Sequence, residues 1–200
     1  MSIKNIYAID ESITESITSV KIRLNKGWDY LWFNYQPTRG YISITSSFGS
    51  YDYIWSAMGE GTTLPQFFTK ADKHYLSGKL FSSTGRNSEV FDINQAFKDV
   101  KKDFLRDFRQ GVLIDAYEVR LIYDELINLE EEMDSEGSHE AFIDNLFQLE
   151  NFSKYNPEPF HRNYGFVPCG SFLTLRDEII PIIKDYFIKA YNLNSEFKNV

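Results

Sequence analysis

Three histidines, one cysteine and a dense run of carboxylates are the groups in this 200-residue chain that invite a chemical reading. His74, His139 and His161 stand far apart, and neither His-x-x-x-His nor Cys-x-x-Cys occurs, so the spacing offers no metal-ligand pattern. His74 falls in KADKHYL, an expected helix, and reads as structural or solvated. Cys169 and His161 lie eight residues apart in HRNYGFVPCG, inside the segment Asn151–Ser171. A Cys–His nucleophile pair needs the two groups adjacent in space and a lowered thiol pKa. Sequence spacing supplies neither, and a lone Cys between Pro168 and Gly170 reads more simply as a small apolar residue. The glycines of FGSYDY and MGEGTT fit neither Gly-x-x-x-x-Gly-Lys nor Gly-x-Gly-x-x-Gly, so no phosphate cradle is expected. MGEGTT does lead into a helix start, where free N–H groups attract anions, but a Thr62 or Thr63 cap uses the same donors. No cofactor, metal or catalytic residue is expected.

The carboxylates are more informative. Between Asp115 and Pro159 there are thirteen Asp/Glu and two Lys/Arg, while the remaining residues carry sixteen acids and nineteen bases. The whole excess behind the net charge of −8 therefore sits in one stretch. Glu130, Glu131, Glu132, Asp134 and Glu136 crowd too closely to hold the distinct environments that an acid and a base require. They form either a solvated helix end or a surface that meets a basic groove, such as a nucleic-acid channel in another protein. Opposite potentials steer such encounters. These five are the expected contact residues. A chain so charged is not itself a nucleic-acid binder over its whole surface, because phosphate contacts need clustered Lys and Arg. No EF-hand spacing occurs for calcium.

The elements that would position these groups change character midway. Val20, Ile22 and Leu24 alternate with Lys21 and Arg23, the period of a half-buried strand. Strand-like segments follow at Trp28–Tyr35, Tyr41–Thr45 and Tyr51–Ala57, separated by the turn residues of QPTRG and SSFGS. The second half reads as helical. One helix is expected from Leu64 to a stop at Gly78, with Pro65 in its first turn. Asp92 caps another, with Ile93, Ala96, Phe97, Val100, Phe104 and Phe108 as its stripe. A third spans about Leu113–Met133, with Tyr117, Leu121, Ile122, Leu126 and Leu129 inward, and a fourth about Glu140–Leu149. Residues 151–170 read as loop or short strand. Arg176–Tyr191 is a last helix that Pro181 starts or kinks. The expectation is a single α+β domain over 1–200. A β-meander of about four strands occupies 1–61, and a helical part over 62–200 packs on it, including the acidic region 115–159.

Between Tyr41 and Phe68 there is no Lys or Arg, so the aromatics of SSFGSYDYIWSA are not a base-stacking platform. They read as core, with Trp55 and a tyrosine neighbour packed on Phe67 or Phe68. One cysteine, an N-terminus without a long apolar run, and no stretch of membrane-spanning hydrophobicity point to a cytoplasmic protein.

The block Gly40–Leu80 resembles a segment of small bacteriophage and prophage proteins. Ser46, Gly49, Tyr51, Tyr53, Trp55, Gly59, Phe67, Phe68, Asp72, Tyr75, Leu76, Lys79 and Leu80 carry the likeness. The acidic region after Asp115 lies outside this block and is expected to hold what is particular to this chain. The resemblance implies a phage accessory protein that acts by binding, and anti-CRISPR proteins are the best-known class of that kind. The leading expectation is a non-enzymatic inhibitor whose acidic helices meet a basic, nucleic-acid-binding surface of a host defence protein. Two alternatives stand beside it. One is an enzyme or small-ligand protein using Asn151–Ser171 with Cys169 and His161. The other is a phage structural or assembly protein.

Overall fold

The computed structural model describes residues 6–14, 17–24, 30–111, 115–133, 137–155 and 163–193. The chain forms two compact units: Met1–Ser88 with Cys169–Val200, and Glu89–Pro168.

The first unit is built on a five-stranded antiparallel meander: β1 (Ile6–Thr14), β2 (Ile17–Leu24), β3 (Tyr30–Gln36), β4 (Tyr41–Ser46) and β5 (Gly49–Ile54). The four anticipated strands are present, and β1 adds a fifth beside β2. Alternation decides the faces. Val20, Ile22 and Leu24, then Leu31, Phe33 and Tyr35, then Ile42 and Ile44 are fully buried, while Lys21, Arg23 and Trp32 point the other way and are exposed.

The inner face is covered by α1 (Leu64–Lys70), α2 (Lys73–Ser82), the short α7 (Gly170–Thr174) and α8 (Ile180–Ala190). Phe187 of α8 stacks edge-on to Phe33, Tyr35 and Phe68. Phe67 and Phe68 are reached by Trp55, with ring centroids 5.7 and 6.0 Å away, and Tyr53 lies 4.7 Å from Trp55. Of the aromatics in SSFGSYDYIWSA, Tyr51 and Trp55 are core and Phe48 and Tyr53 pack against it half-buried, in line with the missing Lys and Arg. Trp55 is held by Gly40, whose carbonyl accepts its N–H at 3.0 Å. A Cβ on Gly40 would lie 2.2 Å from the Trp55 carbonyl oxygen, and its φ is +68°, so only glycine fits.

Two helices replace the single one expected over 64–78. The first ends at Ala71, its C-cap, and Asp72 caps the second, its carboxylate accepting from the N–H groups of His74 (2.7 Å) and Tyr75 (3.2 Å). Gly78 lies inside α2 and does not stop it. The last helix starts earlier than Arg176. A π turn, Leu175–Ile179, joins α7 to α8, and the Ile180 N–H bonds back to the Leu175 carbonyl. Pro181 lies in the first turn of α8. A proline ring collides with the carbonyl four residues back in a regular helix, and the wider turn ahead of it takes up that conflict.

The second unit opens with β6 (Glu89–Phe91) and closes with β7 (Phe166–Pro168), which pair antiparallel. Between them run α3 (Ile93–Arg109), α4 (Ala116–Glu132), α5 (His139–Gln148) and α6 (Glu150–Tyr155). Residues 151–170 thus hold a helical turn as well as a strand. Phe97, Phe104, Ile122, Leu126, Phe142, Leu146 and Phe152 make the core of this unit. Tyr117 and Phe108, read as inward from their spacing, are turned out instead, and Tyr117 is 68% exposed. Asp92 caps α3, accepting from the Gln95 N–H at 3.0 Å.

Candidate functional site

Every expected contact residue of the acidic run that the structure describes belongs to α4 or its end. Asp115 starts this helix by accepting from the Tyr117 N–H at 2.8 Å. Ile122, Leu126 and Leu129 bury one face. Glu130, Glu131 and Glu132 form its last turn, exposed, with no basic residue in that turn. Asp134 and Glu136 lie outside the described residues.

The acids divide by role. Glu125, half-buried on α4, accepts from the Asn151 side chain (2.7 Å) and from the backbone N–H groups of Asn151 and Phe152 (3.1 and 3.0 Å). It therefore docks the first turn of α6 and satisfies donors that a short helix leaves unpaired. Asp99 accepts from the Gln95 side chain at 2.8 Å and the Gly165 N–H at 3.1 Å, tying α3 to the approach of β7. Asp107 accepts from the Tyr155 hydroxyl at 2.6 Å. These inward acids hold the unit together.

Glu130 is intermediate between the two roles. It is exposed but pairs with Lys101 of α3, whose ammonium also lies 5.9 Å from the ring centres of Phe97 and Tyr123. Glu131 and Glu132 have no ion-pair or hydrogen-bond partner among the described residues. Three anions occupy the end of a 17-residue helix, where the macrodipole favours cations. Local stability does not account for them there.

The charge separates with the packing. Residues 89–168 carry eighteen acids and eight bases, while the other unit carries eleven acids and thirteen bases. The second unit is thus −10 and the first +2.

The alternative centred on Cys169 gains nothing from the structure. The thiol sits 3.4 Å from the Ser171 hydroxyl, and His161 lies outside the described residues. Among the described residues, no three His, Cys, Asp or Glu side chains gather as a metal site, and no helix is long and apolar enough to cross a membrane.

One set of residues was hidden from sequence reading. On the outer face of the sheet, register brings Lys21 opposite Trp32 and Arg23 opposite Tyr30. The Lys21 ammonium lies 5.8 Å from the Tyr30 ring centre. These partners are seven to eleven positions apart along the chain, so only the register of β2 against β3 reveals them. The same face carries exposed Asp52, so two bases there do not amount to a stripe that tracks phosphates.

No curated protein and no solved structure matches the chain. A family model does match, over residues 5–165. That span contains both the Gly40–Leu80 block and the acidic segment. The acidic helices therefore fall within the family match although they lie outside the Gly40–Leu80 block, so the match does not mark them as particular to this chain. By this match the chain belongs to the phage family Phage_phiTE_072.

Proposed function

We propose that this phage protein acts by binding, as a non-enzymatic inhibitor of a host defence protein in the manner of anti-CRISPR proteins. Its acidic unit meets a basic surface that otherwise holds nucleic acid. The observation that carries this reading is the segregation of charge. A net −10 is concentrated in one separately packed unit, and Glu131 and Glu132, without a partner among the described residues, stand at a helix end that disfavours anions. Rule-breaking positions of this kind are where functional demand outweighs local stability. A basic channel repays it, since complementary potentials raise association rates and exclude partners of like charge.

The test is capture from phage-infected host cells, comparing the wild type with the double variant Glu131→Lys/Glu132→Lys. Glu130 is left intact because its reversal would also break the Lys101 pair. The wild type is expected to retain a nucleic-acid-binding protein that added nucleic acid or raised salt releases, and the double variant is expected to lose it. Equal capture by both proteins would sink the proposed contact surface.

A further inference from the structure

A second site lies in the first unit, away from the acidic helices in sequence and independent of the reading above. The turn after β3 and the segment between β5 and α1 enclose a cleft of about 460 Å³, lined by Thr38, Arg39, Trp55, Ser56, Thr62 and Thr63 among others. That volume falls in the range of small-molecule sites, about 300–1,000 Å³. The cleft is braced. The Leu64 N–H donates to the Pro37 carbonyl at 2.7 Å, and the Trp55 N–H donates to the Gly40 carbonyl, so both ends of the turn are fixed to its wall.

Trp55 forms part of that wall. It is 4% exposed, and its indole Nε1 is buried with no acceptor. Buried donors are almost always paired, so one left over requires a reason. Packing does not give it. A phenylalanine would keep the ring contacts with Tyr53, Phe67 and Phe68 without burying an N–H. Capping does not give it either, because the Thr63 hydroxyl and N–H are both spent on the Gln66 side-chain oxygen at 3.2 and 3.0 Å. The charged side chain among the lining residues is Arg39, which forms no ion pair among the described residues. The cleft is thus lined by Trp55, whose indole donor has no acceptor, and by Arg39, a cation with no ion pair among the described residues.

We infer that this cleft binds a small ligand bearing an oxyanion, either a phosphate ester or a carboxylate. One ligand oxygen accepts from the Trp55 indole N–H, and the anion pairs with the Arg39 guanidinium. The Thr38 and Ser56 hydroxyls serve the remaining polar groups of the ligand. The planar fork of Arg suits both oxyanions, so sequence and shape leave the choice between them to the experiment.

The test follows the indole N–H resonances of the ¹⁵N-labelled full chain, with Trp55→Phe identifying the Trp55 signal. Uridine 5′-monophosphate probes the phosphate ester and N-acetylglycine the carboxylate; neutral uridine is the control. A saturable shift of the Trp55 indole proton with either anion, and not with uridine, supports the site and names the oxyanion. Arg39→Ala is expected to weaken that probe by about tenfold or more, as loss of a charge-assisted contact does. Trp55→Phe, followed by the backbone amide shifts of Arg39 and Ser56, is expected to weaken it too while retaining the circular dichroism of the wild type. Absence of any shift with both anions overturns the inference. So does an equal response to uridine, or undiminished binding to a folded Arg39→Ala protein. The variant Glu131→Lys/Glu132→Lys is expected to bind the probe as the wild type does, so the cleft and the acidic surface fail or stand separately.

Discussion

Tyr35 lies fully buried on β3, and its phenol oxygen shares a 2.8 Å hydrogen bond with Tyr191. Burial raises its pKa far above the ordinary 10.0, with the Tyr191 hydrogen bond adding to the effect. The sign of the consequence follows from proton counting. Below pH 10 both folded and unfolded chains hold the phenolic proton, so this contribution to stability is complete. Above it the unfolded chain releases the proton and the folded one does not, so stability falls as pH rises. One such tyrosine costs about 1.4 kcal/mol by about pH 11. Lys184 acts with the opposite sign, since burial lowers its pKa and stability gained from it grows toward pH 10.5. Urea unfolding of wild type and Tyr35→Phe, which share Lys184, isolates the tyrosine. The variant should be less stable near neutrality by about 1 kcal/mol and should lose less between pH 9 and 11. Parallel curves would place the alkaline sensitivity elsewhere. Tyr35 was readable as inward from its alternation with Asn34 and Gln36. Its partner was not, because Tyr191 is 156 positions away.

At the scale of elements, α4 makes a prediction that runs against the usual effect of a surface charge reversal. Its last turn holds Glu130, Glu131 and Glu132 and no base. Replacing Glu131 and Glu132 by Lys puts cations where the helix dipole favours them, worth about 0.3–1 kcal/mol each at low salt. The double variant should therefore melt higher than the wild type while binding its partner less well. A lower melting temperature would mean that the two glutamates hold the fold, and the case for an interface would lose its energetic support. The helix itself was legible, because leucines and isoleucines recur at helical spacing and Asp115 caps it. So were β2 to β5, whose alternation is unbroken. What escaped was set by contacts rather than by pattern. The break at Asp72 depends on one carboxylate claiming two backbone donors, and the π turn before Pro181 on a steric conflict that a sequence shows only as a proline. The same holds at the candidate site. The run of glutamates was plain, but its division into the Lys101-paired Glu130 and the two after it, which have no partner among the described residues, was not. Glu125, in the same acidic segment, proved to be a structural clamp for α6.

The whole molecule has the topology of an insertion. Chain enters the second unit at Glu89 and leaves it at Pro168, and these two residues face each other in the β6–β7 pair. One residue outward on each side, the Cys169 N–H donates to the Ser88 carbonyl at 2.8 Å. The first unit therefore holds its two ends of the gap together by its own hydrogen bond. The loop-closure entropy of a short replacement would be small, since that cost grows only slowly with length. The second unit has its own buried core, from Phe97 to Phe152, and its own terminal strand pair. Both halves of an excision should fold. Residues 89–168 alone should unfold cooperatively in urea, and the chain with that segment replaced by a short Gly/Ser linker should retain the sheet with its helices. A non-cooperative transition in either would show that the cores depend on each other. Folding of both would also divide the two binding functions. The isolated 89–168 segment, carrying the −10 charge, should capture the basic partner, and the linked remainder should keep the oxyanion response of Trp55.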